Sequence, residues 1–172
     1  MDPQPPELVV DPDPTWPDTF EGIKSRIEPA LAGVATSVEH IGSTAVPGLA
    51  AKPIIDIDVV VPDHDHVPRA IERLASLGYA HQGDLGVAGR EAFRPPQEGP
   101  YHHLYVVVDG SEPHRNHMDL RDHLRRHPED ARRYADMKRD LASLLATDRE
   151  AYTTGKSEII EAMLTRARLS EA

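Results

Sequence analysis

Two aspartates separated by one residue, Asp56 and Asp58, lie in the most apolar stretch of the chain. This stretch, 53–61, is rich in isoleucine and valine, which predicts a β-strand covered on both faces. Side chains alternate along a strand, so both carboxylates point to the same side, with Cα atoms about 7 Å apart. Buried carboxylates are costly unless they are paired or bind a cation. The pair is therefore either a site for a hard ion such as Mg²⁺ or a strand end that is solvated or ion-paired with arginine.

A glycine–serine turn, Gly42–Ser43, precedes the pair, with Ser43 13 residues before Asp56 and 15 before Asp58. In such a turn the backbone N–H groups and the hydroxyl can approach a phosphate closely. The turn followed by the two-aspartate strand predicts a triphosphate cradle beside a metal site. Two metal ions about 3.5–4 Å apart at such a site would stabilise both the attacking and the leaving oxygens.

The surrounding patterns predict the elements that position these residues. The turn follows a short strand at 38–41 and opens a loop that ends at 52, and 101–108 is a second strong strand closed by an Asp-Gly turn. Glycines in 79–89 predict a hairpin or a mobile loop, followed by a short strand at 92–94. Apolar spacing and capping residues predict helices at 15–31, 67–77, 115–127, 128–145 and 153–168. The fold class is α/β (α+β) with a helical C-terminal third.

Length and composition bound the function. The 172 residues predict one domain over 8–169 after a proline-rich, acidic tail at 1–7. A net charge of −10 argues against broad nucleic-acid binding, which needs a basic footprint. The absence of cysteine excludes disulfides, thiolate zinc sites and a cysteine nucleophile. We find neither a signal peptide nor an apolar run of about 18 residues, which predicts a cytoplasmic protein that does not enter membranes.

A resemblance to a known family rests on the run from Val38 to Ile57, which holds both the turn and the first aspartate. This run closely resembles the signature of the GrpB family, which is placed in the nucleotidyltransferase superfamily. The resemblance covers roughly 8–165, with two departures: Tyr105 replaces a histidine and Leu120 replaces an aromatic residue. The other matching segments are Val10–Pro17, Tyr101–Val107, Leu120–Arg125, Pro128, Tyr134, Lys138 and Lys156.

The resemblance implies a nucleotidyltransferase-like mixed sheet flanked by helices. It implies a nucleotide and Mg²⁺ (or Mn²⁺) as ligands, with Asp56 and Asp58 holding the metal and His103 as a third catalytic residue. The residues predicted to bind the nucleotide or its phosphates are Gly42, Ser43, Thr44, Lys52, Arg94, Arg121, Lys138 and Lys156. The predicted function is Mg²⁺-dependent transfer of a nucleotidyl group from a nucleoside triphosphate, such as ATP, to a small acceptor. The acceptor, the nucleobase and the oligomeric state stay open.

Enzymes of the superfamily use a third carboxylate from a neighbouring strand, and strand 101–108 has no acidic residue before Asp109. Three alternatives follow: a histidine replaces the acid, one metal suffices, or the site binds without catalysis. The second hypothesis is thus a nucleotide- or CoA-binding module, since some family members are fused to dephospho-CoA kinase. A metal-dependent phosphohydrolase is a third.

Most of the ten histidines have no fixed metal-ligand spacing. We interpret His64, His66, His114, His117, His123 and His127 as solvated helix or loop residues rather than zinc ligands. Glu39 and His40, which directly precede the turn, have two open interpretations. They orient a nucleophile, or they pair with Lys52.

Overall fold

The computed structural model describes residues 9–144 and 147–170. A five-stranded mixed sheet lies at its centre, with the strand order β1-β2-β5-β4-β3. The strands are β1 (Ser37–Ile41), β2 (Ile55–Val61), β3 (Ala80–Gly83), β4 (Arg90–Arg94) and β5 (His102–Val108). The helices are α1 (Trp16–Leu31), α2 (Val67–Ser76), α3 (Glu112–Arg126), α4 (Pro128–Ala142) and α5 (Arg149–Ser170). None of these described helices is long and apolar enough to cross a membrane.

The pairing of β2 places the predicted site residues side by side. β2 runs parallel to β5, with Asp56 beside His103 and Asp58 beside Tyr105. On its other side β2 runs antiparallel to β1, with Glu39 beside Asp58. Residues paired across strands project from the same face of the sheet. One face of the sheet therefore carries a row of polar side chains from three adjacent strands.

The opposite face is apolar and carries the main core. Ile55, Ile57 and Val59 of β2 pack there with the buried side of α1 and with α2. The predicted helix face of α1 is confirmed, because Phe20, Ile23, Ile27 and Leu31 are all buried. Pro29 does not end this helix, which continues to Leu31. Because proline has no backbone N–H, the helix lacks one hydrogen bond at this position.

α3 packs against the sheet, and the C-terminal helices form a second apolar cluster with the loop that follows the Gly-Ser turn. Leu49 of this loop packs with Leu124 of α3, Tyr134 of α4 and Met163 of α5. The helical C-terminal third is thus confirmed, and it packs on the loop that leads to the aspartates. The boundaries of the single domain over 8–169 stay a prediction.

Several element boundaries differ from the sequence prediction for identifiable reasons. α3 begins at Glu112 rather than 115, since Pro113 fits the first helical turn. α5 begins at Arg149 rather than 153, because the Asp148 carboxylate accepts the N–H of Ala151 at 3.0 Å and caps the helix. The glycine-rich stretch forms the β3–β4 hairpin, one of its two predicted forms. The predicted end of α4 at residue 145 lies outside the described residues.

Candidate functional site

The glycine–serine turn lies directly against the first aspartate. Gly42 has φ 73° and ψ −171°, a backbone conformation that only glycine adopts without strain. A Cβ atom at this position would lie 2.5 Å from Oδ2 of Asp56. Glycine therefore permits both the shape of the turn and its close approach to the carboxylate. The predicted neighbourhood of cradle and aspartate is present in the fold.

A lysine from α4 reaches the same turn. The Lys138 ammonium donates to Oγ of Ser43 at 2.7 Å and lies 4.7 Å from the centre of the Tyr134 ring. Burial lowers the pKa of Lys138 to about 8; the Asp56 carboxylate acts in the opposite direction, and the positive charges of Lys156 and Lys52 add to the lowering. The other two predicted phosphate-binding lysines, Lys52 and Lys156, thus lie within electrostatic range of Lys138.

Each aspartate has a histidine partner, and the first is the predicted His103. Its Nδ1 lies 2.8 Å from Oδ1 of Asp56, across the parallel β2–β5 pair. A carboxylate only accepts hydrogen bonds, so Nδ1 of His103 carries a proton, and in the neutral ring Nε2 holds the lone pair. The imidazole is about one third exposed, with 37% of its side chain accessible. Nε2 of His103 is therefore available to accept a proton from a bound molecule.

The second partner, His117 of α3, is not among the predicted site residues. Its Nδ1 lies 2.8 Å from Oδ2 of Asp58, whose side chain has 0% exposure. Burial raises the pKa of Asp58, and the hydrogen bond from His117 partly offsets this. The interpretation of His117 as a solvated helix residue is wrong. Both aspartates therefore have an imidazole partner.

A basic stripe along α3 could have revealed this contact. His117, Arg121 and Arg125 are spaced four residues apart, which places them on one side of the helix. Arg121 donates to Oε2 of Glu39 and to the His40 carbonyl, both at 3.2 Å. The structure therefore places Arg121 at β1 and not at the cradle. Glu39 is paired with Arg121 rather than with Lys52.

Two other predicted phosphate-binding residues do not direct their side chains to the cradle, for different reasons. The Thr44 hydroxyl donates to the Ile54 carbonyl at 3.3 Å and accepts the Nε2–H of His40 at 2.9 Å. Burial lowers the pKa of His40 to about 4, so its ring is neutral near pH 7. The Thr44 side chain is thus used inside the protein. Arg94 is exposed at the end of β4, two strands from Asp56.

Tyr105 occupies the position on β5 beside Asp58, where the sequence shows no acidic residue. The Arg90 guanidinium lies 4.4 Å from the centre of its ring. Burial raises the pKa of Tyr105, and the negative charge of Asp56 adds to this effect. The phenol is therefore neutral near pH 7. The acidic neighbour of Asp58 lies on the opposite strand, at Glu39.

Each of the two aspartates has one carboxylate oxygen without a hydrogen-bond partner among the described residues. His103 uses Oδ1 of Asp56, and within the described residues no hydrogen bond involves Oδ2. His117 uses Oδ2 of Asp58, while Oδ1 is buried without any partner. No group of three or more histidine, aspartate or glutamate side chains in the described part of the chain could hold a metal. Mg²⁺ commonly takes one or two carboxylates and completes its shell with phosphates and water.

A buried cluster near the end of α3 has a structural role instead. Nε2 of His123 lies 2.8 Å from Oδ2 of Asp130, and Arg166 of α5 lies 2.9 Å from Oδ1 of the same carboxylate. His123 is 2% exposed, so its interpretation as a solvated helix residue is wrong. The cluster joins α3, α4 and α5.

Comparison with known proteins identifies relatives over most of the chain. A UPF0157 protein of Pseudomonas aeruginosa is 42% identical over 163 residues, which is 92% of this chain and 66% of that protein. The UPF0157 protein YqkA of Bacillus subtilis is 34% identical over 146 residues, 85% of this chain and 43% of that protein. The chain thus spans about two thirds of the length of the first relative and less than half of the length of the second. A dephospho-CoA kinase of Mycolicibacterium paratuberculosis is 39% identical over 77 residues, 43% of this chain and 19% of that protein.

Solved structures agree with the fold. The crystal structure of the conserved protein GrpB from Enterococcus faecalis superposes with a TM-score of 0.80 at 31% identity, covering 93% of this chain and 96% of that one. The Cid1 poly(U) polymerase with bound MgGTP superposes with a TM-score of 0.51 at 15% identity, covering 74% of this chain and 42% of that one. The second likeness concerns the fold alone, which is nucleotidyltransferase-like.

The family model described as GrpB protein matches residues 7–166 of this chain. The match includes the Gly-Ser turn, both aspartates, both histidine partners and Lys138. The chain belongs to the GrpB family.

Proposed function

We propose that this protein is a Mg²⁺-dependent nucleotidyltransferase that uses a nucleoside triphosphate donor and a small-molecule acceptor. One observation carries the proposal: a Gly-Ser turn, a lysine and an aspartate meet at one point. Gly42 approaches Oδ2 of Asp56 so closely that a Cβ would overlap it, and Lys138 donates to the Ser43 hydroxyl. A turn that presents N–H groups, a hydroxyl and an ammonium suits a phosphate chain. The adjacent carboxylate suits the metal ion that accompanies one.

Asp56 and Asp58 would hold the metal through the two oxygens that their histidines leave free. The bound ion would supply positive charge to the phosphates and to the leaving group. His103 and His117 would orient the carboxylates, as hydrogen-bonded partners of metal ligands do. In this assignment both histidines belong to the site because they orient the metal ligands, whether or not one of them also acts as a base.

The phosphate chain would lie over Ser43 with Lys138 beside it. Lys52 and Lys156, whose positive charges lower the pKa of Lys138, would add positive potential at the outer end of the phosphate chain. A phosphate bound here would raise the pKa of Lys138 again, because an anion favours the charged ammonium. The donor is a cytoplasmic metabolite, so the proposal also places the protein in the cytoplasm.

In the reaction, the acceptor hydroxyl oxygen forms a bond to the α-phosphorus of the donor. The bond from that phosphorus to the bridging oxygen breaks, and pyrophosphate leaves. Nε2 of His103 accepts the hydroxyl proton, while Asp56 stabilises the imidazolium that results. The protein contributes mainly position and charge, as in phosphoryl transfer generally.

Calorimetry with ATP, GTP, CTP and UTP, with and without Mg²⁺, tests this proposal. At least one triphosphate should bind only with the metal, and Asp56→Asn should abolish that binding. Asp65→Asn removes an exposed acid outside the site and serves as the matched control. If none of the four binds to the folded protein, the proposal is wrong. Pyrophosphate release then identifies turnover, whereas free phosphate would identify a phosphohydrolase.

A nucleotide- or CoA-binding module without catalysis is the second candidate. Two observations favour it: Tyr105 lies where β5 would place a third carboxylate beside Asp58, and the chain matches part of a dephospho-CoA kinase. Tight binding of a nucleotide or of CoA, without pyrophosphate release in the presence of Mg²⁺, would support the module over the enzyme.

A further inference from the structure

A groove of about 440 Å³ runs along the outer edge of β1, between α1 and α3. β1 is an edge strand, so its second side faces this groove rather than another strand. The stacked rings of Phe20 and His40, with centroids 4.7 Å apart, form part of its wall. Its volume is in the range of pockets that hold small ligands, which is roughly 300–1,000 Å³.

The charged residues that line this groove are the cations Lys24, Arg121 and Arg125 and the carboxylates Glu28 and Glu39, so cations are in excess by one. Lys24 enters it from α1, where it is 3.6 Å from Glu28. Arg121 enters from α3 and is already held by Glu39 at 3.2 Å and by Asp122 at 2.8 Å. The third cation, Arg125, has no acidic partner within ion-pair distance in the described chain.

Arg125 has donors left for a ligand. Its Nε donates to the Ala45 carbonyl at 2.8 Å, so the guanidinium is held in place while its two terminal NH₂ groups keep their donors. Burial and the positive charge of Arg121 lower the pKa of Arg125, while the charges of Asp122 and Glu39 act in the opposite direction. A planar guanidinium held at one end is well suited to bidentate contact with an oxyanion.

The groove also borders the candidate transfer site on two sides. Glu39 lines the groove and is the register partner of Asp58 on β2. Arg125 is bonded to the carbonyl two residues after Ser43 of the cradle. A molecule in the groove is therefore separated from the aspartates only by the width of one strand.

We propose that this groove binds the acceptor, and that the acceptor is a small molecule with a phosphate or carboxylate group held by Arg125, Arg121 and Lys24. This inference rests on the proposed nucleotidyl transfer and gives its acceptor a chemical class. The anion lies against the arginines, and the reactive hydroxyl of the same molecule points past Glu39 towards Asp58 and Asp56. An RNA strand suits this groove less well, because the whole chain carries a net charge of −10 and an extended phosphate backbone needs a longer basic track.

Binding is tested by titrating the folded protein with inorganic phosphate and, separately, with succinate at constant ionic strength. Two-dimensional ¹⁵N NMR follows the backbone amides of Ser37 and Val38 and the side-chain Nε–H of Arg125. At least one of the two oxyanions should shift these signals saturably. Arg125→Gln should weaken that binding about tenfold, since it removes a charge-assisted pair of donors. Lys24→Gln on the opposite wall should weaken it several-fold, so the test does not depend on one variant.

Arg132→Gln removes an exposed α4 arginine outside the groove and should change nothing. Groove signals that do not move with either anion, or an Arg125→Gln affinity within twofold of the parent, would overturn the inference. Displacement of phosphate by a short single-stranded RNA but not by a mononucleotide would overturn the small-molecule class.

The same samples separate this inference from the proposed function. Mg²⁺·ATP should shift the Ser43 amide and lose that effect in Asp56→Asn, whereas the groove anion should bind Asp56→Asn normally. Failure of ATP with the groove signals intact sinks the nucleotidyl transfer and leaves an anion site. With ATP bound, pyrophosphate release supported by hydroxylated phosphates or carboxylates should show a raised acceptor KM in Arg125→Gln at unchanged ATP affinity. An unchanged acceptor KM would overturn the acceptor assignment.

Discussion

Neighbouring residues on the two faces of β2 are equally buried but hold opposite chemistry. Ile57 on one face and Asp58 on the other both have 0% exposure. Ile57 packs in the main core with α1 and α2, while Asp58 meets His117 and keeps one oxygen without a partner. Burial stabilises the isoleucine and disfavours the ionised aspartate. One strand thus holds the fold with Ile55, Ile57 and Val59 and keeps a costly site with an unpaired oxygen at Asp56 and Asp58.

The largest loss of stability is expected for a substitution on the apolar face of β2. Ile57→Ala removes buried methyl groups and leaves a cavity, so it should lower the free energy of unfolding by about 2–5 kcal/mol. Urea denaturation measures this, and Val87→Ala, at a 39% exposed position, should stay within about 0.5 kcal/mol of the parent. If Ile57→Ala costs less than 1 kcal/mol, the apolar face is not what holds the sheet.

Gly42→Ala tests how closely the Gly-Ser turn packs against Asp56 on the polar face. Both the positive φ and the 2.5 Å approach to Asp56 oppose a side chain, so we expect a loss of about 2–4 kcal/mol. Gly48→Ala is the matched control, since Gly48 also has a positive φ of 76° but has no atom within 4 Å of the added Cβ. It should cost only about 1 kcal/mol. Equal losses for the two variants would contradict the close packing of turn and carboxylate.

Replacing Lys138 tests how much stability the protein loses by burying a lysine beside the Gly-Ser turn. Its pKa is about 8 in the folded protein against 10.5 for an ordinary lysine, so between these pH values the unfolded chain binds more protons. The stability of the parent protein should therefore rise with pH across this interval, relative to Lys138→Met. At pH 7 the methionine variant should be more stable by about 1–3 kcal/mol and should lose binding of the triphosphate. Melting temperatures from pH 7 to 10.5 measure the difference, and a constant difference would contradict the lowered pKa.

The smallest stability change is expected for Asp58→Asn. A buried carboxylate with a raised pKa contributes stability when protonated and loses it as the pH rises through the folded pKa. Asp58→Asn should thus be within about 1 kcal/mol of the parent or slightly more stable at pH 7, with its relative advantage growing from pH 4 upwards. Mg²⁺-dependent nucleotide binding should disappear. A loss of about 3–5 kcal/mol with ligand binding retained would instead identify a structural ion pair with His117.

The predictable part of the site is the part that is local in sequence. The turn at Gly42, the strand of Asp56 and Asp58, and the apolar side of α1 follow from residue types and spacing within a few residues. The resemblance to the GrpB signature added His103 and Lys138, whose contacts with Asp56 and Ser43 the structure contains.

What could not be predicted depends on how the helices pack on the sheet. His117 and Arg121 have ordinary helical environments in sequence, and only the placement of α3 across β1 and β2 brings them to Asp58 and Glu39. The basic i, i+4, i+8 stripe indicated a shared face but not the surface it meets. His123 was missed for the same reason, because its partner Asp130 comes from a different helix, α4.

The parallel pairing of β2 and β5 also affects how the protein folds. Asp56 and His103 are 47 residues apart in sequence, and Asp58 and His117 are 59 residues apart. Contacts between residues so far apart in sequence form slowly, because the entropy lost on closing the intervening chain precedes the stabilisation that the contacts provide. During synthesis, β1, the turn and β2 leave the ribosome long before α3. The aspartates are therefore without their imidazole partners in the nascent chain, and the site is completed only in the last stages of folding.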